Sequence, residues 1–463
     1  MATTTGDRAV ASKYWASTIA NWGTEELGEE FAQLKKDIIK EYGEDNIRKS
    51  WLQVTAALAR EAETIASRGS AIIPVVNASE LENLPDDVIN DIKHRGSVVI
   101  RNVLPQDEAR NLHKELDEYL STNKEDIGSR PPENPWLFDA FFSPVQHKVR
   151  AHPRSLQAQR FLNSLWTGYS PEETQPDPLL YVDALRHRRP GGHSSTVQPH
   201  IDAGSLDRWA DDNYRRFYEP VFQGKPFDYN PFDIHKRNLA NQAKFPGRSQ
   251  CSAFRTFQGW VALSPTGEQF GRSSLAVFPD LKLAQAYALL RPFFKPPPDD
   301  ETSLEPTAWV LDDSASFPGS VKGLSQRVLT GTHPHLRLEE TLTLIPLVNP
   351  GDAVFWHSDV IHAVDPVNNT DDIATVLYIP AVPLTRNNVS YIKKQRDALV
   401  AHGQTPPDFI IRVGDVQEAR LKGWLDHATA LGDNPEGRQG YGLEKLQGSS
   451  PIITWANELL GFS

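Results

Sequence analysis

Short segments rich in β-branched and aromatic residues recur through the second half of this chain, and turns rich in Gly, Pro and Asp separate them. This pattern predicts strands over 254–263, 273–279, 341–347, 353–356 and 375–380, with earlier strands over 96–104 and 179–186. Many short strands with such punctuation are typical of a sandwich or jelly roll, and not of strands that alternate with helices. We therefore predict an α+β chain built on a β-rich core.

Helical patterns flank this core on both sides. Apolar residues at helical spacing predict helices over 24–42, 46–66 and 85–93 before it, and over 389–400, 416–430 and 455–460 after it. Between 205 and 250 many aromatic residues lie among charges, which fits either a packed helical excursion or a lid over a site. We predict a helical N-terminal extension over 1–95, a core over 96–390 with an insertion at about 205–250, and a helical C-terminal extension over 391–463 packed on the core.

Composition excludes several classes of protein. A formal net charge of -12 argues against broad electrostatic binding to nucleic acid or to anionic membranes. The single cysteine, Cys251, excludes an internal disulfide framework and a thiolate metal cluster. The first residues lack the pattern of a secretory signal, and no apolar run reaches the length of a membrane span. We expect a soluble, cytoplasmic protein that acts on a small molecule.

The motif PHIDAGS at residues 199–205 carries the first candidate site. His200 and Asp202 are two residues apart after an extended segment, and side chains at that spacing point to the same side of a strand. A second histidine from elsewhere would complete the facial triad of two histidines and one carboxylate that holds non-haem Fe(II). The alternative is a turn in which Asp202 is a cap.

The candidate partners of this pair lie in PGDAVFWHSDVIHAV at residues 350–364. His357 and His362 are five residues apart, so in a continuous strand they would point to opposite faces. At most one of them would then point into the core. The spacing alone does not decide which.

These motifs resemble the phytanoyl-CoA dioxygenase-like branch of the Fe(II)/2-oxoglutarate oxygenases, and more closely the uncharacterised YbiU-like family. The resemblance rests on Gly351 and Asp352 before the aromatic strand, and on YVDALR at 181–186, PHIDAGSLDRW at 199–209 and WHSDVIHAV at 356–364. It spans about residues 95–390.

The resemblance implies a double-stranded β-helix (a cupin-like jelly roll) in which His200, Asp202 and His362 hold Fe(II). His357 then has a supporting or surface role. The implied activity uses 2-oxoglutarate and O2 to oxidise a C–H bond by hydroxylation, desaturation or oxidative cyclisation. Amino acids and intermediates of secondary metabolism are among the candidate substrates.

One feature of that family pattern is missing. Its members usually carry an arginine for the distal carboxylate of 2-oxoglutarate about eleven residues beyond the distal histidine, but residues 368–375, NNTDDIAT, contain no Arg or Lys. The candidate replacements are Arg255 and Arg186 from other strands and Arg412 from the C-terminal segment. Trp260 matches a tryptophan that lines the cosubstrate pocket, or is a plain core residue.

Two other functions stay open on the sequence. One is a metal-dependent cupin-type enzyme that does not use 2-oxoglutarate, and the other is a non-catalytic binding protein on the same fold. Substrate identity and oligomeric state are not readable.

Overall fold

The computed structural model describes residues 27–131, 133–191, 198–247 and 251–462. Its strands form two large sheets and two small two-stranded ones, in which the described pairs are antiparallel except β1 with β2. The eight-stranded sheet has the order β1-β2-β14-β8-β16-β6-β4-β3, and the five-stranded sheet has the order β12-β7-β15-β9-β13.

The strands have these bounds: β1 Val75–Asn77, β2 Ser97–Arg101, β3 Ser129–Arg130, β4 Leu137–Phe138, β5 Thr174–Pro178, β6 Leu185–Arg188, β7 His200–Ile201, β8 Phe257–Ala262, β9 Leu275–Val277, β10 Phe294–Lys295, β11 Val310–Leu311, β12 Gln326–Arg327, β13 Thr343–Leu344, β14 Ala353–His357, β15 His362–Val364, β16 Ala374–Tyr378 and β17 Pro383–Thr385.

The helices have these bounds: α1 Glu29–Tyr42, α2 Glu44–Arg68, α3 Asp86–Arg95, α4 Gln106–Thr122, α5 Pro144–Arg150, α6 Pro153–Ser164, α7 Asp207–Ala210, α8 Asp212–Phe217, α9 Glu219–Phe222, α10 Ile234–Arg237, α11 Leu281–Leu290, α12 Leu338–Thr341, α13 Arg386–Val400, α14 Ile410–Val413, α15 His427–Leu431, α16 Pro435–Gly440 and α17 Pro451–Leu460. The predicted mixture of helices and strands is confirmed. Within the described ranges, no helix has both the length and the apolar character that crossing a membrane requires.

A cavity lies between the two large sheets, because residues of both sheets line it. Gln258 and Trp260 come from β8 of the eight-stranded sheet, while His200 and His362 come from the five-stranded sheet. The inward side chains alternate along β8, as the period of a strand requires.

The N-terminal helices cover the outside of this core with one apolar face. On α2 the side chains of Ile47, Trp51, Val54 and Leu58 are buried, and their spacing places them on one side of the helix. The Trp51 ring stacks on Phe294 with 4.3 Å between ring centroids. A face of this kind stabilises the helix through packing more than through its intrinsic propensity.

The predicted strand over 179–186 is wrong for most of its length, because β6 begins only at Leu185. The apolar residues before it are buried in a different way: Leu179 N–H donates to the Val382 carbonyl and Leu180 N–H donates to the Gly440 carbonyl. This buried segment is therefore covered by the C-terminal region. Its residues are apolar because they pack in that contact and not because they form a strand.

The predicted helix over 416–430 is also wrong. Residues 418–420 form a single 3-10 turn, and Gly423 has a φ of 79°, a left-handed conformation that ends regular helix. The Asp426 side chain then caps a new short helix, α15, by accepting from Ala428 N–H and Thr429 N–H.

The insertion forms the short helices α7 to α10, which agrees with the packed helical alternative. Its aromatic residues Trp209, Tyr214, Tyr218 and Phe222 are buried. The lid stays a prediction.

Candidate metal centre

Two neighbouring strands bring His200 and His362 side by side. β7 and β15 are antiparallel neighbours in the five-stranded sheet, and in their register His362 lies directly opposite His200. Residues in directly opposite positions place their side chains on the same face. The two imidazole rings lie 4.2 Å apart between centroids, and both are buried.

Asp202 joins the two rings from the end of β7. One of its carboxylate oxygens, Oδ1, lies 3.3 Å from His200 Nε2, and the other, Oδ2, lies 3.4 Å from His362 Nε2. Ligand atoms of the three residues all lie within 4.8 Å of one another. One small cation could contact all three side chains at once.

The outer nitrogen of each imidazole is held by the backbone. His200 Nδ1 lies 2.6 Å from the Gln198 carbonyl oxygen, and His362 Nδ1 lies 3.0 Å from the Val360 carbonyl oxygen. A carbonyl oxygen only accepts, so both Nδ1 atoms carry the proton and both Nε2 atoms keep a free lone pair. A hydrogen bond at the second nitrogen is the usual way in which a protein orients a histidine ligand.

The protonation states favour metal binding. Burial lowers the pKa of His200 and the adjacent charge of His362 lowers it further, so the imidazole is neutral near pH 7. For Asp202, burial raises the pKa, but the two histidines outweigh it and hold the pKa well below the usual range of a carboxyl group. The site therefore presents an ionised carboxylate beside two imidazoles whose Nδ1 atoms are held by backbone carbonyls.

The backbone after Asp202 is fixed by two side chains of the insertion. The Ala203 carbonyl accepts from the Tyr214 hydroxyl at 3.0 Å and from the Arg208 guanidinium. Gly204 has a φ of 70°, and a Cβ there would lie 2.9 Å from the Tyr214 ring. Glycine is therefore required at this turn both for its conformation and for space.

His357 lies outside the cavity lining. Its ring stacks on Trp166 with 5.0 Å between centroids, its Nε2 donates to the Pro231 carbonyl at 3.1 Å, and its Nδ1 accepts from Asp359 N–H at 3.1 Å. Both ring nitrogens are thus occupied. β14 ends at His357 and β15 begins at His362, so the two residues do not share one continuous strand.

The cavity beside the three candidate ligands has a volume of about 260 Å³. Trp260, Arg186, Arg255 and Arg412 all line it, so each cosubstrate candidate from the sequence faces the same space. Three further aromatic residues, Trp136, Trp356 and Tyr378, line it together with smaller apolar side chains such as Leu275 and Val364.

The three arginines differ in their partners. Arg186 is buried, its Nη2 donates to the Ser273 carbonyl at 3.0 Å, and its buried Nε has no hydrogen-bond partner. Arg412 pairs with Asp139, with 3.2 Å between Nη2 and Oδ1. The guanidinium of Arg255 makes no hydrogen bond or ion pair with the residues described in the four ranges above.

Sequence reasoning missed several of the residues that surround the site. Trp136, Asp183 and Tyr378 line the cavity, and Tyr214 supports the loop after Asp202. Trp136 lies in a stretch rich in Pro and aromatic residues, which was a usable signal. No sequence signal pointed to Tyr214, because its role depends on a contact between α8 and the turn after Asp202.

The comparisons with known proteins agree on one family. The profile of a family described as Gig2-like matches residues 25–443. An uncharacterised protein of Escherichia coli K12, YbiU, is 31% identical over 404 residues, which cover 84% of this chain and 90% of that protein.

Two solved structures are also similar. The structure of GlcNAc Inducible Gene 2 (GIG2, DUF1479) from Candida albicans superposes with a TM-score of 0.83 at 28% identity, covering 95% of this chain and 96% of that one. A Salmonella typhimurium LT2 protein, described provisionally as an oxidoreductase, has a TM-score of 0.75 at 28% identity and covers 90% of this chain and all of its own.

Proposed function

This chain belongs to the Gig2-like family, and from that premise we propose that it is an Fe(II)- and 2-oxoglutarate-dependent oxygenase. Its substrate is a small organic molecule, of which it oxidises a C–H bond. The observation that carries the proposal is the convergence of His200, Asp202 and His362 at one end of a cavity between two sheets.

The order of the strands supports a double-stranded β-helix. The chain alternates between the two large sheets from β6 to β9 and again from β13 to β16. Strands β6, β8, β14 and β16 belong to the eight-stranded sheet, and β7, β9, β13 and β15 belong to the other. Within each sheet these strands are antiparallel neighbours. Antiparallel strands that alternate between two sheets in this way are the mark of a jelly roll.

The donor set supports iron. Two imidazole nitrogens and one carboxylate on one side of a metal leave the other coordination positions open, which suits the non-haem Fe(II) oxygenases. Among the described residues that line the cavity there is no thiolate, which Zn(II) or Cu(I) would prefer.

Arg186 is suited to the distal carboxylate of 2-oxoglutarate. It is a buried guanidinium with no carboxylate partner in the described ranges and with one unpartnered N–H. A buried cation without a counter-charge is costly, so a bound anion would stabilise it. Arginine can also bind both oxygens of a carboxylate at once.

The register explains how Arg186 can replace the arginine that the family pattern places near residue 373. β16 begins at Ala374, and its neighbour β6 pairs Arg186 with Val376, so Arg186 supplies its charge at that same end of the sheet. Val376 in turn pairs with Ala262 of β8, whereas His357 pairs with Phe257 at the opposite end of β8. The charge of Asp202 acts on Arg255, whereas the charges that act on Arg186 are those of Tyr378 and Asp365. Arg255 is therefore the arginine on the side of the candidate metal ligands.

When bound, Fe(II) and 2-oxoglutarate supply the electrons that, with those of the substrate C–H bond, reduce O2 as the oxo acid loses CO2 and becomes succinate. The residues of the chain hold and orient these reactants. Trp260 and Trp356 give the cavity an apolar wall that excludes water, and Arg186 fixes the end of the cosubstrate that does not react.

The experiment is an anaerobic titration of the Fe(II)-loaded protein with 2-oxoglutarate, followed by visible absorption and by iron analysis. We expect near-stoichiometric iron and the weak charge-transfer band of a chelated oxo acid. Asp202→Asn should abolish both, because an amide does not supply the anionic ligand. Arg186→Gln should keep the iron and weaken 2-oxoglutarate binding by roughly tenfold or more, since a charge-assisted pair is lost.

His235→Ala is the matched control, because His235 is an exposed histidine on α10 and should leave both readings unchanged. Iron without the band would point to a metal enzyme that does not use 2-oxoglutarate. A wild-type protein without near-stoichiometric iron would overturn the proposal.

A further inference from the structure

Arg255 faces the cavity, and no described residue forms a hydrogen bond or an ion pair with its cationic side chain. Its own backbone carbonyl, in contrast, accepts from the Ser358 hydroxyl. The backbone at this position is therefore held in place, while the guanidinium makes no hydrogen bond or ion pair with a described residue. A half-buried guanidinium without a counter-charge is energetically costly, so a bound anion would stabilise it.

Arg255 lies at the end of the cavity that is remote from Arg186. It precedes Phe257, the first residue of β8. Arg186 and Ala262 both pair with Val376 of β16, so Arg186 is level with Ala262, the last residue of β8. Five residues of strand correspond to roughly 17 Å. A single cosubstrate held by Arg186 would therefore leave Arg255 available for a second molecule.

A second guanidinium lies beside this end of the cavity. Arg412 shares the carboxylate of Asp139 with Arg130, which binds it at two points, with Nη2 at 2.9 Å from Oδ1. One carboxylate therefore serves two arginines. Arg412 also lines the cavity, so its charge adds to that of Arg255.

The carboxyl groups near Arg255 do not neutralise it through an ion pair. Asp183 feels the charges of both Arg412 and Arg255, yet it lies beyond ion-pair distance of either, and its Oδ1 accepts from Ala184 N–H at 2.7 Å. Asp202, the other nearby carboxylate, faces the two histidines instead.

We propose that the primary substrate is a small organic acid whose carboxylate is bound by Arg255, with Arg412 beside it, at the metal end of the cavity. The rest of the substrate lies against the aromatic wall of Trp136 and Trp356. This inference rests on the proposed function, because it assigns Arg186 to 2-oxoglutarate and Arg255 to the molecule that is oxidised.

The test compares benzoate with benzamide, which share shape and aromatic surface but differ in charge. Each is titrated by calorimetry into the anaerobic protein loaded with Fe(II) and 2-oxoglutarate, while the visible band is monitored. We expect benzoate to bind at least tenfold more tightly than benzamide and to leave the band in place. Arg255→Gln should remove that advantage without weakening 2-oxoglutarate binding. The variant should fold, because the Arg255 side chain makes no hydrogen bond or ion pair with the described residues.

Arg420→Gln is the matched control, because Arg420 is an exposed arginine outside the cavity lining. Among the described residues its guanidinium donates only to the Asp126 carbonyl. Benzoate that binds no better than benzamide, or not at all, overturns the inference. So does an advantage that survives in Arg255→Gln, or a band that disappears as benzoate binds, because benzoate would then occupy the cosubstrate position.

Failure of the proposed function would look different. The band would not form in the wild-type protein at all. The same pair of titrations into protein loaded with Co(II) would still report whether Arg255 selects an anion.

Discussion

The orientation of Asp202 depends on a carbonyl that is not itself part of the candidate site. Ala203 follows Asp202 directly, and its carbonyl accepts from Arg208 and Tyr214. The Tyr214 hydroxyl is held in turn, because it accepts from Arg237 Nη2 at 2.8 Å. The insertion therefore positions a candidate metal ligand through its backbone, in the way that supporting hydrogen bonds usually tune a metal site.

Tyr214→Phe tests this positioning role. The ring stays against Gly204, while the hydroxyl that bonds Ala203 is lost. We expect a loss of about 1 kcal/mol in the free energy of unfolding, as for one buried hydrogen bond. We also expect metal affinity to fall by roughly tenfold, because the carboxylate of Asp202 is less well oriented. Co(II) titration followed by absorption measures the affinity.

Tyr229→Phe is the matched control for that experiment. Tyr229 is also a buried tyrosine of the insertion, and its hydroxyl donates to the Lys282 carbonyl at 3.1 Å, away from the Asp202 loop. It should lose a similar amount of stability and keep its metal affinity. If both variants bind Co(II) alike, Tyr214 has only a structural role.

At the scale of the elements, β8 and β14 approach each other closely at one position. Gly259 of β8 lies opposite Phe355 of β14, and a Cβ on Gly259 would meet the Phe355 ring at 2.1 Å. A strand normally loses stability at a glycine. Here the glycine makes room for an aromatic ring inside the sheet that carries the cavity wall.

Gly259→Ala should therefore destabilise the protein by about 1–3 kcal/mol or more, because the added methyl group overpacks the space of the ring. Urea denaturation measures the change. Phe355→Leu in the same chain provides the check, because a smaller side chain should recover part of the loss in the double variant. If the loss of stability in the double variant equals the sum of the losses in the two single variants, the Phe355 ring is not the obstacle.

The elements that could be predicted from the sequence are those whose apolar pattern reflects how they are buried. The helical spacing on α2 follows from one packed face, and the short apolar run of β14 is typical of a strand that is buried on both faces. The prediction of a strand before Leu185 was wrong because the apolar residues there pack under the C-terminal region. The prediction of a helix over 416–430 was wrong because the apolar spacing continues past Gly423, where the backbone turns.

The candidate site divides in the same way. The spacing of His200 and Asp202 is local, so the sequence alone was enough to predict that they face one direction. Which arginine lies at which end of the cavity could not be predicted, because the answer depends on the pairing of Arg186 with Val376 and of Val376 with Ala262. Registers between strands remote in sequence are set by the whole sheet.

At the scale of the whole molecule, the described residues form two packed regions, and both contribute to the cavity. The larger one unites the two large sheets with the N-terminal helices, and the smaller one joins the C-terminal helices to the segments around 141–184. Arg412 belongs to the C-terminal region and still lines the cavity. The C-terminal region therefore forms part of the cavity wall.

Buried titratable groups make the stability of this molecule depend on pH. Burial lowers the pKa of His147 to about 3, and those of His335 and His357 to about 4. These histidines stay neutral when folded but bind protons in the unfolded chain below pH 6.5, so each reduces stability as the pH falls. Asp365 and Glu418 act in the opposite direction, because burial raises their pKa values to about 6 and about 7.

His357→Phe isolates one of these contributions, because a phenyl ring can keep the stack on Trp166 but cannot bind a proton. At pH 7 the variant should be less stable than the wild type, since the hydrogen bond to the Pro231 carbonyl is lost. On going from pH 7 to pH 5 the wild type should lose on the order of 2 kcal/mol that the variant does not lose. Urea denaturation of both proteins at the two pH values measures the difference, and parallel losses would mean that His357 is protonated equally in the folded and unfolded states.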